Sequence, residues 1–309
     1  MTDDKQRALE LWLEMAASMA PTDPDQPATP QQLRDAYDTW AAAHFPPPAD
    51  LVIEPVDADG VPCLLAQIDG TRPKHTILYF HGGGYMIASA QGYASTAADL
   101  ARAADAEVQL VDYRLAPEHP FPAALDDALV AYRWLISRRD PSTVVVAGDS
   151  AGGGLAAALL LNLRDLGEPM PAAGVCISAW LDMTLASESV TTKAEVDPIM
   201  SAAMLQGMAD AYLQGAAADS PSASPLRADL RGLPPMLVMT GTWDSLTDDS
   251  TRFAEKARGA GVDVALRTFD EMYHCWHIMT PVLEQSRVAI SAIGEFVRQH
   301  AHPMAPTSR

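Results

Sequence analysis

The sequence of 309 residues is 48% hydrophobic and 20% charged, which is typical of a folded globular protein with one large domain or two modest ones. Its 21 Lys and Arg against 40 Asp and Glu give a formal net charge of −19, and this excess of negative charge argues against nucleic acid or an anionic membrane surface as a partner. The three cysteines, Cys63, Cys176 and Cys275, are too few and too scattered for a disulfide framework or a zinc site.

Residues 1–45 are predicted to form a helical arm in front of the main domain. Apolar positions repeat at helical spacing over residues 5–20, which predicts an amphipathic helix. A second predicted helix spans 31–44 and ends before the three prolines at 46–48. Because the first helix is acidic at its start and carries charges within its apolar stretch, it does not resemble a secretory signal. We therefore expect a cytoplasmic protein without membrane insertion, since no apolar run is long enough to cross a bilayer.

The main domain, residues 46–309, begins with two predicted strands, 51–56 and 61–68, that the turn sequence DADG joins as a hairpin. Short apolar runs then alternate with helical stretches. The predicted strands are 76–80, 107–111, 143–147, 172–178, 235–240 and 263–269, and the predicted helices between and after them are 91–104, 122–138, 151–166, 246–259 and 282–299. This alternation predicts an α/β fold with a mostly parallel central sheet and helices on both faces.

An insertion at about 180–230 interrupts this alternation. It contains one predicted helix, 198–213, and insertions of this size often form a lid over the carboxyl edge of a sheet. Methionines recur every four residues on that helix, and large apolar residues recur at helical spacing in the arm. Each such side chain is explained more simply by packing on the core, but as a group they predict an adaptable apolar pocket. The residues of this group are Met200, Met204, Met208, Trp12, Met15 and Met19.

The sequence Gly148-Asp149-Ser150-Ala151-Gly152 matches the GxSxG pattern of a nucleophile elbow. It follows the apolar run TVVVA and precedes a helix-forming run, which is the strand–turn–helix context that the elbow requires. The glycines permit a tight turn that lifts the serine hydroxyl clear of the sheet at a helix N-terminus. The alternative is a turn of small residues at which a helix and a strand pack closely.

A second motif, His81-Gly82-Gly83-Gly84, follows the predicted strand at 76–80. Consecutive glycines let the backbone approach a ligand, and their amides can point at a developing negative charge. A flexible turn and a phosphate-binding loop are the alternatives. The second of these is disfavoured because the chain is acidic and contains neither GxxxxGK[ST] nor GxGxxG.

The order of HGGG, the segment DYRLAPEHPFPA at 112–123, and GDSAG resembles the bacterial hormone-sensitive-lipase-like esterases of the α/β-hydrolase superfamily. The resemblance covers about residues 50–300 and implies an α/β-hydrolase fold. It also implies that the arm at 1–45 and the insertion at 180–230 form a helical cap on the catalytic domain at 46–309. No cofactor and no metal are implied.

The resemblance implies a catalytic triad in the chain order Ser, acid, His. Ser150 is the nucleophile. The acid is Asp244, which follows the run PMLVMT and matches the family's GxxDxLxD stretch, although its position would also suit a helix N-cap. Asp248 and Asp249 are expected in the first turn of the next helix, where acids favour the helix dipole.

The base implied by the resemblance is His274, which follows the predicted strand at 263–269 through a short loop. His277 is the alternative if the loop register differs. The chain departs from the family at Cys275, where relatives usually have glycine, and at Ala179, where many have proline. We expect these departures to affect substrate preference more than reaction type.

These residues predict a serine carboxylic-ester hydrolase acting on short-to-medium acyl esters of about four to eight carbons through an acyl-enzyme. Backbone amides of Gly82, Gly83 and Ala151 are expected to hold the oxyanion. The same triad would also serve a lactone, N-acetyl or carbamate hydrolase. A non-catalytic binding protein, as in the plant gibberellin receptors that resemble this family, is disfavoured because all three triad positions are filled. The partner is expected to be a small-molecule ester, with a homodimer possible through the predicted edge strand at 263–269.

Overall fold

The computed structural model describes residues 2–20 and 27–302. Its strands are β1 Leu51–Ala58, β2 Val61–Ile68, β3 His75–Phe80, β4 Ala106–Val111, β5 Val144–Asp149, β6 Ala173–Ile177, β7 Met236–Gly241 and β8 Val264–Phe269. Its helices are α1 Asp3–Ser18, α2 Pro30–His44, α3 Ala94–Ala104, α4 Ala123–Ile136, α5 Ala151–Leu166, α6 Ser189–Thr192, α7 Ala202–Leu213, α8 Thr247–Gly259 and α9 Glu284–His300. Every predicted strand and helix of the main domain has a counterpart within a few residues.

The strands form one sheet in the order β1-β2-β4-β3-β5-β6-β7-β8. The six strands from β3 to β8 are parallel, whereas β1 and β2 are antiparallel to each other and β2 is antiparallel to β4. The predicted hairpin is confirmed, because Asp59 and Gly60 turn the chain with φ of 54° and 96°, the positive values that a two-residue hairpin turn needs. The predicted mostly parallel sheet is confirmed as well.

Helices cover both faces of the sheet, as predicted. On one face α3 packs against β2, β4 and α9, and on the other α5 packs against β5 and β6 with α4 and α8 beside it. Every residue of β3 and β5 is buried, since these strands lie at the centre of the sheet with helices on both sides. Because β3, β5, β7 and β8 are parallel, the loops that follow them meet at one edge of the sheet.

The arm is two helices that pack on each other and on the main domain. The ring of Trp12 on α1 stacks on that of Trp40 on α2 at 5.5 Å, and the Trp40 indole donates a hydrogen bond to the Leu11 carbonyl. The predicted helix at 5–20 runs from Asp3 to Ser18. Part of the sequence between the two helices lies outside the described residues.

Arg34 of α2 joins the arm to the segments around the glycine motif. Its guanidinium donates to the Met86 carbonyl at 2.9 Å, to the Ala116 carbonyl at 3.0 Å and to both carboxylate oxygens of Glu118. Since hydrogen bonds from a charged group are among the stronger ones, these contacts fix α2 beside the loop that follows β3.

The insertion places α7 slightly later than predicted. The predicted helix at 198–213 begins at Ala202, because the Ser201 hydroxyl accepts a hydrogen bond from the Met204 amide and caps the helix there. Met200 therefore precedes α7 and does not share its face. The start of the insertion is held by Asp249, whose carboxylate accepts from the amides of Leu181 and Asp182 at 2.9 Å each.

β8 lies at the edge of the sheet, as predicted, and the homodimer suggested by that edge stays a prediction. Within residues 2–20 and 27–302 no helix has the length and apolar character needed to cross a bilayer.

Candidate active site

Ser150 occupies the turn between β5 and α5 with φ 52° and ψ −122°, a region that a non-glycine residue adopts only where the surrounding structure imposes it. The flanking glycines are required by close backbone approach. A Cβ on Gly148 would lie 2.2 Å from the Gly152 carbonyl oxygen, and one on Gly152 would lie 2.0 Å from that of Phe80. The turn therefore packs directly against β3 and presents the serine immediately before the first residue of a helix, as the motif predicted.

Ser150, His274 and Asp244 lie together at the carboxyl edge of the sheet, although they are far apart in the sequence. The Ser150 Oγ is 2.8 Å from His274 Nε2, and His274 Nδ1 is 3.0 Å from Asp244 Oδ1. All three are buried, with exposed fractions of 4% for Ser150, 4% for His274 and 0% for Asp244. Beside an ionised Asp244, the imidazole donates through Nδ1 and accepts the serine hydroxyl proton through Nε2, which is the polarity that serine activation needs.

The electrostatics of the pair favour a charged Asp244 and an easily protonated His274. Burial raises the pKa of the Asp244 carboxyl, but the charge of His274 and hydrogen bonds from His274 and the Leu246 amide outweigh it, so that this pKa lies below its usual range. Burial lowers the pKa of His274, but the charge and hydrogen bond of Asp244, with a contribution from Asp197, bring it above its usual value.

His277, the alternative base, lies away from the serine. Its Nε2 is 3.2 Å from the Tyr79 hydroxyl, and burial lowers the pKa of His277 to about 4. An imidazole buried in this way stays neutral at physiological pH and contacts a tyrosine of β3. The geometry thus favours His274 over His277 as the partner of Ser150.

The glycine motif is arranged differently from the expectation. The Gly82 amide donates to the Tyr93 hydroxyl at 3.1 Å, a Cβ on Gly82 would lie 2.4 Å from Asp149 Oδ2, and Gly82 does not line the cavity that opens on Ser150. The structure therefore does not support Gly82 as an oxyanion donor, because its N–H already has a partner. Gly83 and Gly84 line the cavity beside Ser150 instead.

Three backbone amides remain free to bind an anion near Ser150. In the described part of the chain, the amides of Gly83, Gly84 and Ala151 have no hydrogen-bond acceptor. Gly83 has φ 108°, and a Cβ on it would lie 2.3 Å from the Ile87 carbonyl oxygen, so only glycine suits this turn. Ala151 is the first residue of α5, where amides lack intrahelical acceptors and the helix dipole favours negative charge.

A buried carboxylate, Asp149, connects the elbow to its neighbours, although its place inside the GxSxG motif does not by itself indicate this role. It accepts hydrogen bonds from the hydroxyls of Tyr79 and Tyr93 at 2.8 Å each, and the Cys275 thiol lies 3.3 Å from it. The Tyr93 hydroxyl in turn accepts a hydrogen bond from the Gly82 amide. Asp149 thus ties the serine turn to the glycine loop and the histidine loop.

The backbone conformation at Cys275 accounts for the glycine that relatives usually have at this position. Its φ of 54° and ψ of 31° are left-handed, the backbone conformation for which glycine is the cheapest residue. In this chain a cysteine bears that conformation, and its thiol contacts the buried Asp149 carboxylate.

A narrow cavity of about 50 Å³ opens on Ser150 and His274. Apolar side chains of both the arm and the insertion line this cavity, as their helical spacing in the sequence predicted. Met19 is the exception, because it follows the end of α1 and, half-buried, packs against the core instead. The apolar residues that line the cavity include Trp12, Met15, Tyr37, Ile87, Tyr93, Ile199, Met200, Met204 and Met208.

The described residues contain no group of three or more His, Cys, Asp or Glu side chains placed to hold a metal ion.

Comparisons with known proteins show the family to which the chain belongs. A family model described as alpha/beta hydrolase fold matches residues 77–278. An acetyl-hydrolase of Streptomyces hygroscopicus is 44% identical over 224 residues, which is 72% of this chain and 75% of that protein. An esterase of Acinetobacter venetianus is 35% identical over 271 residues, which is 86% of this chain and 88% of the relative.

Solved structures resemble the whole chain. The crystal structure of an esterase from the bacterial hormone-sensitive lipase family superposes with a TM-score of 0.92 at 40% identity, covering 98% of this chain and 99% of the other. EstE5, in a crystal soaked with p-nitrophenyl butyrate, superposes with a TM-score of 0.88 at 38% identity, and the match covers 97% of this chain and 99% of that one.

Proposed function

Because the chain belongs to the bacterial hormone-sensitive lipase family of α/β hydrolases and is a serine carboxylic-ester hydrolase, we propose that Ser150, His274 and Asp244 carry out its reaction. The observation that supports this assignment most strongly is the continuous hydrogen-bonded path from the Ser150 hydroxyl through both nitrogens of His274 to the Asp244 carboxylate. These are the contacts that a nucleophile, a general base and an orienting acid need.

In the proposed mechanism, Ser150 Oγ attacks the ester carbonyl carbon while His274 Nε2 accepts the hydroxyl proton. The resulting imidazolium is stabilised by Asp244. As the tetrahedral intermediate collapses, the bond to the alcohol oxygen breaks and His274 gives its proton to that oxygen, leaving the acyl group on Ser150. Water then attacks the acyl-enzyme, with His274 taking a proton from the water and returning it to Ser150 as the carboxylic acid leaves.

The oxyanion of each tetrahedral intermediate is proposed to lie against the amides of Gly83, Gly84 and Ala151. This differs from the sequence-based assignment in replacing Gly82 by Gly84. Support comes from the free N–H groups of these three residues and from the engagement of the Gly82 amide with Tyr93. Amides fixed in this way need no reorganisation when the negative charge develops.

The cavity supports short-to-medium acyl chains as substrates. Its volume of about 50 Å³ is well below the roughly 300–1,000 Å³ of pockets that hold drug-sized ligands. Met204 and Met208, which border it, are flexible side chains that can adjust to a few added methylenes. A long acyl chain would have to displace the arm or the insertion as well.

A screen of p-nitrophenyl esters with increasing acyl length tests this preference. We expect kcat/KM to be highest below about eight carbons and to fall steeply for longer chains. Met204→Ala, which enlarges the cavity, is expected to shift the preference toward longer chains, while Gln206→Ala on the exposed side of α7 is the matched control. Efficient hydrolysis of emulsified long-chain triglyceride by the intact protein would contradict the proposal.

Removal of acetyl groups is a second candidate within the same chemistry. It is favoured by the small cavity and by the similarity to a protein named acetyl-hydrolase. The screen therefore includes an acetyl ester, an N-acetyl amine, a lactone and a carbamate of comparable size. Faster turnover of the N-acetyl amine than of any ester would favour this candidate over a carboxylesterase.

The pH dependence of hydrolysis follows from the raised pKa of His274. The imidazole must be neutral to accept the serine proton, so activity is lost as the pH falls through this pKa. Since Asp244 and Asp197 raise the pKa of His274 above its usual value, the midpoint of the acid limb of kcat/KM is expected above about 6.5. A profile that stays flat down to pH 5 would argue against a histidine base.

A further inference from the structure

The insertion contacts the loop of the catalytic acid through buried side chains that include Ser189, whose hydroxyl donates to the Ser245 carbonyl, and Asp197, which is 5% exposed. Its Oδ2 accepts a hydrogen bond from the Ser245 amide at 2.8 Å. Its Oδ1 accepts from the amides of Ile199 and Met200 at 3.0 and 3.1 Å. One carboxylate therefore joins the segment before α7 to the residue that follows Asp244.

The two acids bind consecutive amides of one turn. Asp197 accepts a hydrogen bond from the Ser245 amide. Asp244 Oδ1 accepts one from the Leu246 amide at 2.8 Å and also contacts His274. Among the described residues, Asp197 has no Lys or Arg as an ion-pair partner. The charged groups that act on it from the facing loops are Asp244 and His274.

We propose that Asp197 is a second acidic positioning residue of this esterase, which fixes the Asp244 loop to the insertion and stabilises the imidazolium form of His274 during turnover. This inference rests on the proposed roles of His274 and Asp244. A buried carboxylate without a cationic partner acts on a neighbouring charge with little screening by solvent. Its negative charge favours the imidazolium, which forms in each transition state.

The directions in which the pKa values of His274 and Asp197 are shifted agree with this geometry. Asp197 is among the groups that raise the pKa of His274. Burial, and then the neighbouring Asp244, raise the pKa of Asp197 itself. This is the pattern expected when two carboxylates share the surroundings of one histidine.

Asp197→Asn in the full-length chain is the test, because the amide loses the charge, keeps nearly the same shape and keeps one of the two oxygen acceptors. We expect the acid midpoint of kcat/KM for p-nitrophenyl butyrate to move to lower pH by about half a pH unit. The value of kcat at the pH optimum is expected to fall about tenfold, with KM changing less than about threefold. Glu195→Gln removes the same charge from an exposed position on the same segment and is expected to leave the profile unchanged.

Two further variants keep the test decisive. Asp197→Glu retains the charge and is expected to keep the wild-type midpoint, whereas Asp197→Ser removes the charge with a smaller side chain and replaces D197N if that variant does not fold. An unchanged midpoint in the folded charge-removal variant would overturn the proposal, whatever happens to kcat or to the melting temperature. Failure of the proposed function would appear separately, as retained activity of His274→Ala.

Discussion

Ser150→Ala is expected to lower kcat for p-nitrophenyl butyrate by about 10⁴–10⁶-fold while the protein stays folded. The loss is large because, among the residues that the structure describes, the Ser150 hydroxyl alone both contacts His274 Nε2 and opens on the cavity. The fold should survive, since alanine is smaller than serine and the strained turn is imposed by Gly148, Gly152 and β3 rather than by the hydroxyl.

The measurement is the initial rate of p-nitrophenolate release, paired with circular dichroism to check the fold. Ser137→Ala, at an exposed position after α4, is the matched control and should retain wild-type turnover. More than about a tenth of wild-type turnover in the Ser150 variant would show that another group is the nucleophile.

The two buried histidines of one loop provide the second large effect. His274→Ala is expected to lower kcat by about 10³-fold or more, because it removes both the base for Ser150 and the acid for the leaving alcohol. His277→Ala is expected to lower kcat less than about tenfold, since its Nε2 contacts the Tyr79 hydroxyl and not the serine.

The two substitutions remove buried imidazoles that lie three residues apart in one loop. Each variant therefore controls for the packing that is lost in the other. Thermal unfolding of both variants measures that packing cost directly. A larger loss of kcat in His277→Ala, at a similar melting temperature, would contradict the assignment of the base while leaving the nucleophile in place.

The parts of the site that local sequence determines were predictable. The elbow around Ser150 needs a strand, two glycines and a helix in immediate succession, and all of these are visible in the sequence from residue 143 to 166. The parallel sheet follows from the alternation of apolar runs with helical stretches, which brings the loops after β7 and β8 to the edge that also carries Ser150.

The parts that depend on distant contacts were not predictable. The proposal of Gly84 in place of Gly82 as an oxyanion donor rests on the contact between the Gly82 amide and the Tyr93 hydroxyl, and nothing in the motif itself signals that contact. Asp197 looks like an ordinary loop acid, since its partner Ser245 lies 48 residues further along the chain. The start of α7 is shifted by the hydroxyl of Ser201, which sequence periodicity alone does not reveal.

Covalent labelling tests the central claim, that Ser150 forms the acyl-enzyme, most directly. A p-nitrophenyl alkylphosphonate with a short chain forms a stable serine–phosphorus bond as p-nitrophenolate leaves, and the modified residue is identified by mass spectrometry of peptides. The account predicts one phosphonyl group per chain, located on Ser150, with activity lost in proportion to labelling and with much slower labelling of His274→Ala. Inactivation accompanied by a label on any other residue, or full activity in protein labelled stoichiometrically at Ser150, would contradict it.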